Sequence, residues 1–413
     1  MKINLRQCYL YFYIFMLIYI EFGYHMVVEN QLSGSIRTVV LIAISIPLVL
    51  FGKKHLTADI LFFVFYLTAV ALLNCIFRLD EYGNYILLLV PIFIGFVTVL
   101  SVDKNEYVKV YSNIVFFLSV FSLVVFVINL VPQTIIASLP LVGYRNAAQV
   151  HDAFFSVAIT NSQYIRNYGI AWEPGAFAIL IGLAMYFELI HTEKIRIKRI
   201  IVLTVTMITT FSTMGYFFTA LLFAAVGLNY LFTHGNIMHS NKRNAVIIIL
   251  IISVMIVFFL PQEAKSLVFS KLDGLFNDTG DISSTTEARI NAIIYPLRAF
   301  LESPLVGVGY DQFSFINKTQ CDSVATNTII NWFALFGLSF GLPCTYCYFK
   351  CFYNDKQKFN IKLLPFIILI IAFCLLVSTE SLLRISLIYI LIFYGVQIDS
   401  EEDSEKLTIQ ETL

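Results

Sequence analysis

Residues Arg199–Phe232 read RIIVLTVTMITTFSTMGYFFTALLFAAVGLNYLF, one nearly unbroken apolar stretch. As a single helix it would run about 50 Å at 1.5 Å per residue. The hydrocarbon core of a bilayer is only about 30 Å thick. Ser212-Thr213-Met214-Gly215 near the middle offers a reversal, and both ends are flanked by basic residues. The stretch therefore predicts a hairpin of two membrane spans.

The rest of the chain follows the same pattern. Of its 413 residues, 59% are hydrophobic and only 13% charged. A soluble domain carries about 25% charged residues, so this chain has too few to cover a water-facing surface. Segments of about ten alternating residues, the mark of a membrane barrel, do not recur. The expected fold class is all-α, a polytopic membrane protein of about twelve transmembrane helices. The spans expected are 9–27, 36–51, 57–77, 84–101, 108–131, 171–190, 198–211, 216–233, 244–260, 327–349, 363–378 and 383–397. They form a single domain over 1–397, with 398–413 an acidic cytoplasmic tail. The run 363–397 is divided by STESLLR, as 199–232 is by STMG. The opening MKINLRQCYLYFYIFMLIYI has a basic lead and an apolar run. No small-residue cleavage site follows, so it reads as a retained first helix.

Charge placement sets the orientation. Seventeen Lys and Arg residues fall in short segments on one side, among them Lys53, Lys54, Lys104, Arg196, Lys198, Arg199 and Lys350. The short segments opposite hold only Arg37, Arg78 and Arg384. The positive-inside rule then places both termini in the cytoplasm. Two long loops, about 132–170 and 262–326, fall outside and show no obvious strands. Net charge is zero, which gives no reason to expect a nucleic-acid partner.

The seven cysteines form no disulfide framework. Cys344, Cys347 and Cys351 share one helix face and read as packing residues, since cysteine behaves as a small hydrophobe. No His joins them at ligand spacing, and no metal cluster, nucleophile elbow or nucleotide motif is present. No metal and no cofactor are expected.

The residues able to do chemistry gather in the outer loops. Arginine binds phosphate through a planar fork that stays charged. Arg145 and Arg166 lie in the first loop, Arg289 and Arg298 in the second. Glu173 opens the apolar run WEPGAFAILIGLAMYFELI, with Pro174 suited to the first helical turn. It reads as a helix-terminus carboxylate held by the macrodipole, or as a general base or a carboxylate orienting a sugar hydroxyl, with Arg166 a candidate partner. His151 with Asp152 is a further candidate base, against a plain solvated histidine. Glu380 and Arg384, four apart, predict an i,i+4 pair. In the second loop, STTEARINAIIYPLRAFLESP opens with Ser284 and Glu287 at capping-box spacing. Ile290, Ile293, Ile294, Leu297 and Leu301 then form a helical stripe, lying on the membrane boundary or packed on the bundle. Pro296 should kink it.

Two of these segments carry a family resemblance. Arg166-x2-Gly169-x3-Glu173-Pro174 at a helix start resembles the motif of bacterial O-antigen and capsule polymerases of the Wzy type. EARINAIIYPLRAFLESPLVGVGYDQF followed by TNTIINWFALFGL is similar to the Arg-rich loop and helix of the O-antigen ligase superfamily. The resemblance covers roughly residues 145–341. It implies a metal-independent glycosyltransferase of the bacterial inner membrane. A growing glycan on undecaprenyl pyrophosphate passes to a lipid-linked oligosaccharide repeat unit, with a chain-length regulator protein as a partner. It also implies that Glu173, Arg289 and Arg298 are catalytic, and that Arg145, Arg166, Gly309 and Asn327 bind substrate. The family's Arg-x10-Gly spacing is met by Arg298 and Gly309. In the first loop the same spacing from Arg145 and Arg166 reaches Ser156 and Phe177 instead. Ala325, Thr326 and Asn327 stand where ligases carry a histidine, which favours a polymerase. A ligase-type transferase and a polysaccharide transporter or flippase are the alternatives.

Overall fold

The expected reversal forms, joining a helix of 13 residues to one long and apolar enough to cross a membrane. In the computed structural model, helix α9 (Ile197–Thr209) and helix α10 (Thr213–His234) are separated by three residues, with Phe211 at φ 49° making the reversal. The structure describes residues 4–28, 34–51, 56–130, 133–145, 148–161, 165–192, 195–234, 284–320, 326–378 and 380–397. The span expected at 244–260 and the tail 398–413 lie outside them, as do Cys321, Ala325 and the side chains of Ser284, Glu287 and Arg289.

The remaining helices in chain order are α1 (Leu5–Phe22), the short α2 (Tyr24–Val27), α3 (Gly34–Phe51), α4 (Ala58–Arg78), α5 (Tyr82–Ser101), α6 (Lys104–Leu130), α7 (Gln133–Ala137) and α8 (Pro174–Ile190). After α10 come α11 (Ser284–Glu302), α12 (Tyr310–Gln320), α13 (Thr328–Lys358), α14 (Leu363–Leu376) and α15 (Ser386–Val396). Five helices among the described residues are long and apolar enough to cross a membrane: α4, α5, α6, α10 and α13. Only helices and closed barrels satisfy their own backbone in hydrocarbon, so this is a helical membrane protein. Helix α15 is 11 residues long and α14 is 14, both short of the roughly 20 residues that a full crossing takes.

The bundle is built around α15, every residue of which is buried. It lies between α5 and α13, and glycines permit the contact. A Cβ on Gly395 would stand 1.9 Å from the Cys347 carbonyl oxygen, and one on Gly95 would stand 2.8 Å from Tyr389 Cβ. Small residues let membrane helices approach closely. Cys344, Cys347 and Cys351 are buried on α13, the packing role expected of them.

The two ends of the bundle differ. At one end Lys104 pairs with Asp355 at 2.6 Å, and Tyr186 and His191 bond the same carboxylate. There too the fully buried Glu188 holds Arg196 and Arg199. The opposite end gathers the C-termini of α1, α4 and α9 and the N-termini of α8, α13 and α15.

At this second end the all-α expectation needs correction. The first long loop contains a three-stranded antiparallel sheet in the order β1 (Leu141–Arg145), β2 (Ala148–Asp152), β3 (Val157–Thr160). The strands are only four or five residues long, and β3, buried throughout, lacks the polar/apolar alternation that would betray it. His151 is not solvated. It is buried in β2, with Nδ1 against the Leu139 carbonyl and Nε2 against Thr160 Oγ1, both at 3.1 Å. Asp152 meets His25 instead, at 3.2 Å.

The second loop docks into a broken helix. Inside α13, Gly337 sits at φ 68°, ψ −163°, a conformation essentially restricted to glycine. Carbonyls freed by the break accept from the loop: Val308 N–H donates to Ala334 at 2.8 Å and Gly309 N–H to Leu335 at 3.0 Å. In return Leu338 N–H donates to Pro304 at 2.7 Å. Broken backbone at membrane depth is tolerated where protein satisfies it in this way. Helix α4 braces the loop: Asn74 and Arg78 donate to the Val306 and Gly307 carbonyls, and Asp80 Oδ2 accepts from Tyr310 N–H at 2.6 Å. Helix α11 runs on through Pro296. It turns Ala292 and Ala299 inward, while Ile293, Ile294, Leu297 and Leu301 stay exposed. The stripe thus faces away from the bundle.

Gly337→Ala would set a methyl 2.4 Å from the Leu305 carbonyl carbon and strain the backbone. We expect a loss of about 1–3 kcal/mol, seen as a lower melting temperature of the purified protein. Gly83→Ala, with open space around it, should stay within about 0.5 kcal/mol of wild type.

Candidate functional site

Glu173 sits at the N-cap of α8 in extended backbone, followed by Pro174 at the first helical position. Its side chain does not cap the helix. It turns to Arg145 at the end of β1, whose Nη2 donates to Oε1 at 2.5 Å while Nη1 donates to the Trp172 carbonyl at 2.9 Å. The guanidinium also lies over the Tyr168 ring, 5.6 Å from its centroid. Side-chain exposure is 42% for Glu173 and 32% for Arg145. An ion pair that open can be reached by a solute.

The expected contact of Arg166 with Glu173 is replaced by this one. Arg166 Nε and Nη2 donate to the Thr210 and Phe211 carbonyls at 3.1 and 3.0 Å. Those groups end α9, where orphan carbonyls and the negative end of the dipole attract a cation. Burial lowers the Arg166 guanidinium from its ordinary value, and the charge of Glu173 partly offsets this. Its role here is to tie the α9–α10 reversal to the segment leading into Glu173.

A second carboxyl completes the site. Glu380 lies between α14 and α15, and its Oε1 stands 2.9 Å from where a Cβ on Gly175 would be. It therefore rests over the first turn of α8, beside Glu173. Burial pushes its carboxyl up to about 8, and the negative charge of Glu173 adds to this. The Trp172 indole, a donor, and Arg145 act in the other direction. The Glu380–Arg384 pair expected from spacing does not form, because residues 380–385 are not helical. Arg384 donates instead to Asn84 at 2.9 Å and stacks 5.2 Å over Tyr310.

Backbone pairing holds both carboxyl-bearing segments in place. Trp172 N–H donates to Phe22 O at 3.0 Å, Tyr24 N–H to Ile170 O at 2.9 Å, and Gly23 bridges Ala171. The Trp172 ring stacks on Phe22 at 5.2 Å. On the other side Glu21, buried at the end of α1, accepts from Ser386 N–H with both oxygens at 2.9 Å and from Ser386 Oγ at 2.5 Å. Thr328 Oγ1 donates to the Glu380 carbonyl at 3.0 Å. Asn327 is also structural: it caps α13 through Ile330 N–H and donates to Ser378 Oγ, both at 3.0 Å.

Of the sequence candidates, Arg145 and Glu173 come together, with Arg166 behind them. Gly309 lies apart, at φ 81°, where a Cβ would stand 2.3 Å from Asp80 Oδ2. Its position serves the docking of the second loop. Arg298 is exposed on α11, 5.5 Å over the Tyr295 ring, and makes no contact with the Arg145–Glu173 pair among the described residues. The sequence offered no signal for Trp172 or Glu21 beyond a polar or aromatic residue at a span boundary.

Glu21→Ala would leave the Ser386 N–H and hydroxyl without their acceptor. It should cost about 1–3 kcal/mol, read as a lower melting temperature, with Glu21→Gln milder because one carbonyl oxygen remains to accept. The sequence matches no protein-family model and no curated protein, so the reading of this site rests on its own residues.

Proposed function

We propose that this protein is a polysaccharide polymerase of the bacterial inner membrane, in line with its resemblance to the Wzy type. Some twelve spans would then cross the membrane, with both termini cytoplasmic and the sheet, α11 and α12 on the outer side. The observation that carries the reading is the solvent-accessible Arg145–Glu173 pair at the head of α8, beside a second carboxyl. An outward-facing site meets no nucleotide pool, so the donor is a glycan on undecaprenyl pyrophosphate.

In this reading Glu173 is the general base. It takes the proton of an acceptor hydroxyl on a lipid-linked repeat unit as that oxygen bonds the anomeric carbon of the donor. The bond from that carbon to the pyrophosphate oxygen breaks, and the pyrophosphate leaves with the electron pair. Arg289 and Arg298, on α11, are the cations assigned to the developing charge. Arg145 occupies Glu173 Oε1 and so orients the carboxylate. Transport is supported less well: the broken α13 resembles the interrupted helices of transporters, but its freed carbonyls are taken by the protein's own loop.

Deletion of the gene should leave single repeat units at the cell surface without the long ladder of polymer on a glycan gel. Wild type should restore the ladder, while Glu173→Gln and Arg298→Ala at normal protein levels should not. A full ladder from both variants would overturn the site. Complete polymer held on the lipid carrier in the deletion strain would mean a ligase.

A further inference from the structure

Glu380 is the chemically unusual group at this site. Its carboxyl stands over Gly175 at the first turn of α8, inside the bundle end, whereas Glu173 is open to solvent. The groups facing it are few. From the head of α8 comes the Glu173 carboxylate; from the preceding segment, the Trp172 indole; from β1, Arg145. Helix α13 contributes only neutral groups, Asn327 and Thr328. Glu21 of α1 is turned to Ser386, and Arg384 of the same turn is committed to Asn84 and Tyr310. Arg166 is bound to backbone carbonyls. Among the described residues one guanidinium, already bonded to Glu173, is thus the only cation set against two carboxyls.

We propose that Glu380 is a positioning residue: it stays protonated in the working protein and donates that proton in a hydrogen bond to the Glu173 carboxylate. Two like charges so close do not both ionise readily, and the less solvated carboxyl is the one to stay neutral. The consequence is electrostatic. With one shared proton the pair and Arg145 sum to zero, whereas two carboxylates would present a net negative charge to an anionic donor. The bond also leaves Glu173 as the single acceptor for a hydroxyl proton, its orientation fixed by Arg145 on one side and Glu380 on the other. The catalytic meaning rests on the reading of Glu173 as base; the proton's location does not.

Infrared pH-difference spectroscopy on the full-length protein in lipid nanodiscs tests it. Wild type should show a protonated-carboxyl C=O band at neutral pH that disappears as pH rises through about 8. Glu380→Gln should lose the component that titrates through about 8. Glu173→Gln should move its midpoint to lower pH, because the neighbouring charge that favours the proton is gone. A wild-type protein without such a band, or a band titrating through about 8 that survives Glu380→Gln in the folded variant, would overturn the proposal, and an absent wild-type band decides even if a variant misfolds. The two readings fail separately. An unaltered glycan ladder in Glu173→Gln would remove the base role of Glu173 and leave the titration standing, while a missing band would remove only the shared proton.

Discussion

Glu21 and Ser386 are the contact on which this end of the molecule depends. The carboxylate at the end of α1 takes the N–H and hydroxyl of the first residue of α15. It caps the central, wholly buried helix, its acceptor oxygens set at the end where the macrodipole favours them. The residues just after Glu21 pair with Ile170, Ala171 and Trp172, and the residues just before Ser386 carry Glu380. This buried interaction helps hold together the two segments that bring Glu173 and Glu380 side by side, alongside the contact of Glu380 with the first turn of α8.

The rest of that end obeys one rule: backbone leaving a helix inside a bundle must find partners there. Arg166 closes the carbonyls of the α9–α10 turn, Asn327 closes the N-terminus of α13, and the loop from Pro304 to Gly309 fills the break at Gly337. Residues that resemble a family's substrate-binding set thus have structural work to do. Arg145 and Glu173 differ in being partly exposed and bonded to each other, which is why the chemistry is assigned to them.

Placement of the carboxyls decides which of them does what. Glu188 is fully buried but meets two arginines, and Asp355 is buried with Lys104 and His191. Both are neutralised by cations and read as structural ties at the opposite end. Among the described residues Glu380 has no cation of its own. The same residue type thus serves as brace in one place and as held acid in another, and the difference lies in the neighbours.

How much of this was legible beforehand depends on the range of the interaction. The hairpin at 199–232, the division at STESLLR, the helix start at Pro174 and the packing of Cys344, Cys347 and Cys351 all follow from hydropathy, helix length and local spacing, which the sequence by itself determines. The three strands were hidden because they are only four or five residues long, and β3, buried at every position, shows no alternation. Glu173 was legible as a charge at the mouth of an apolar run, but its partner was not. Arg166 was nearer in sequence, yet the β1–β2 hairpin delivers Arg145, and Arg166 turns to the carbonyls of α9. Glu380 looked like the partner of Arg384 because spacing presumes a helix, and that turn is not one. Only the tertiary structure decided these pairings. They join residues 28 to 365 positions apart, and no local pattern records which distant backbone or side chain will be buried against them.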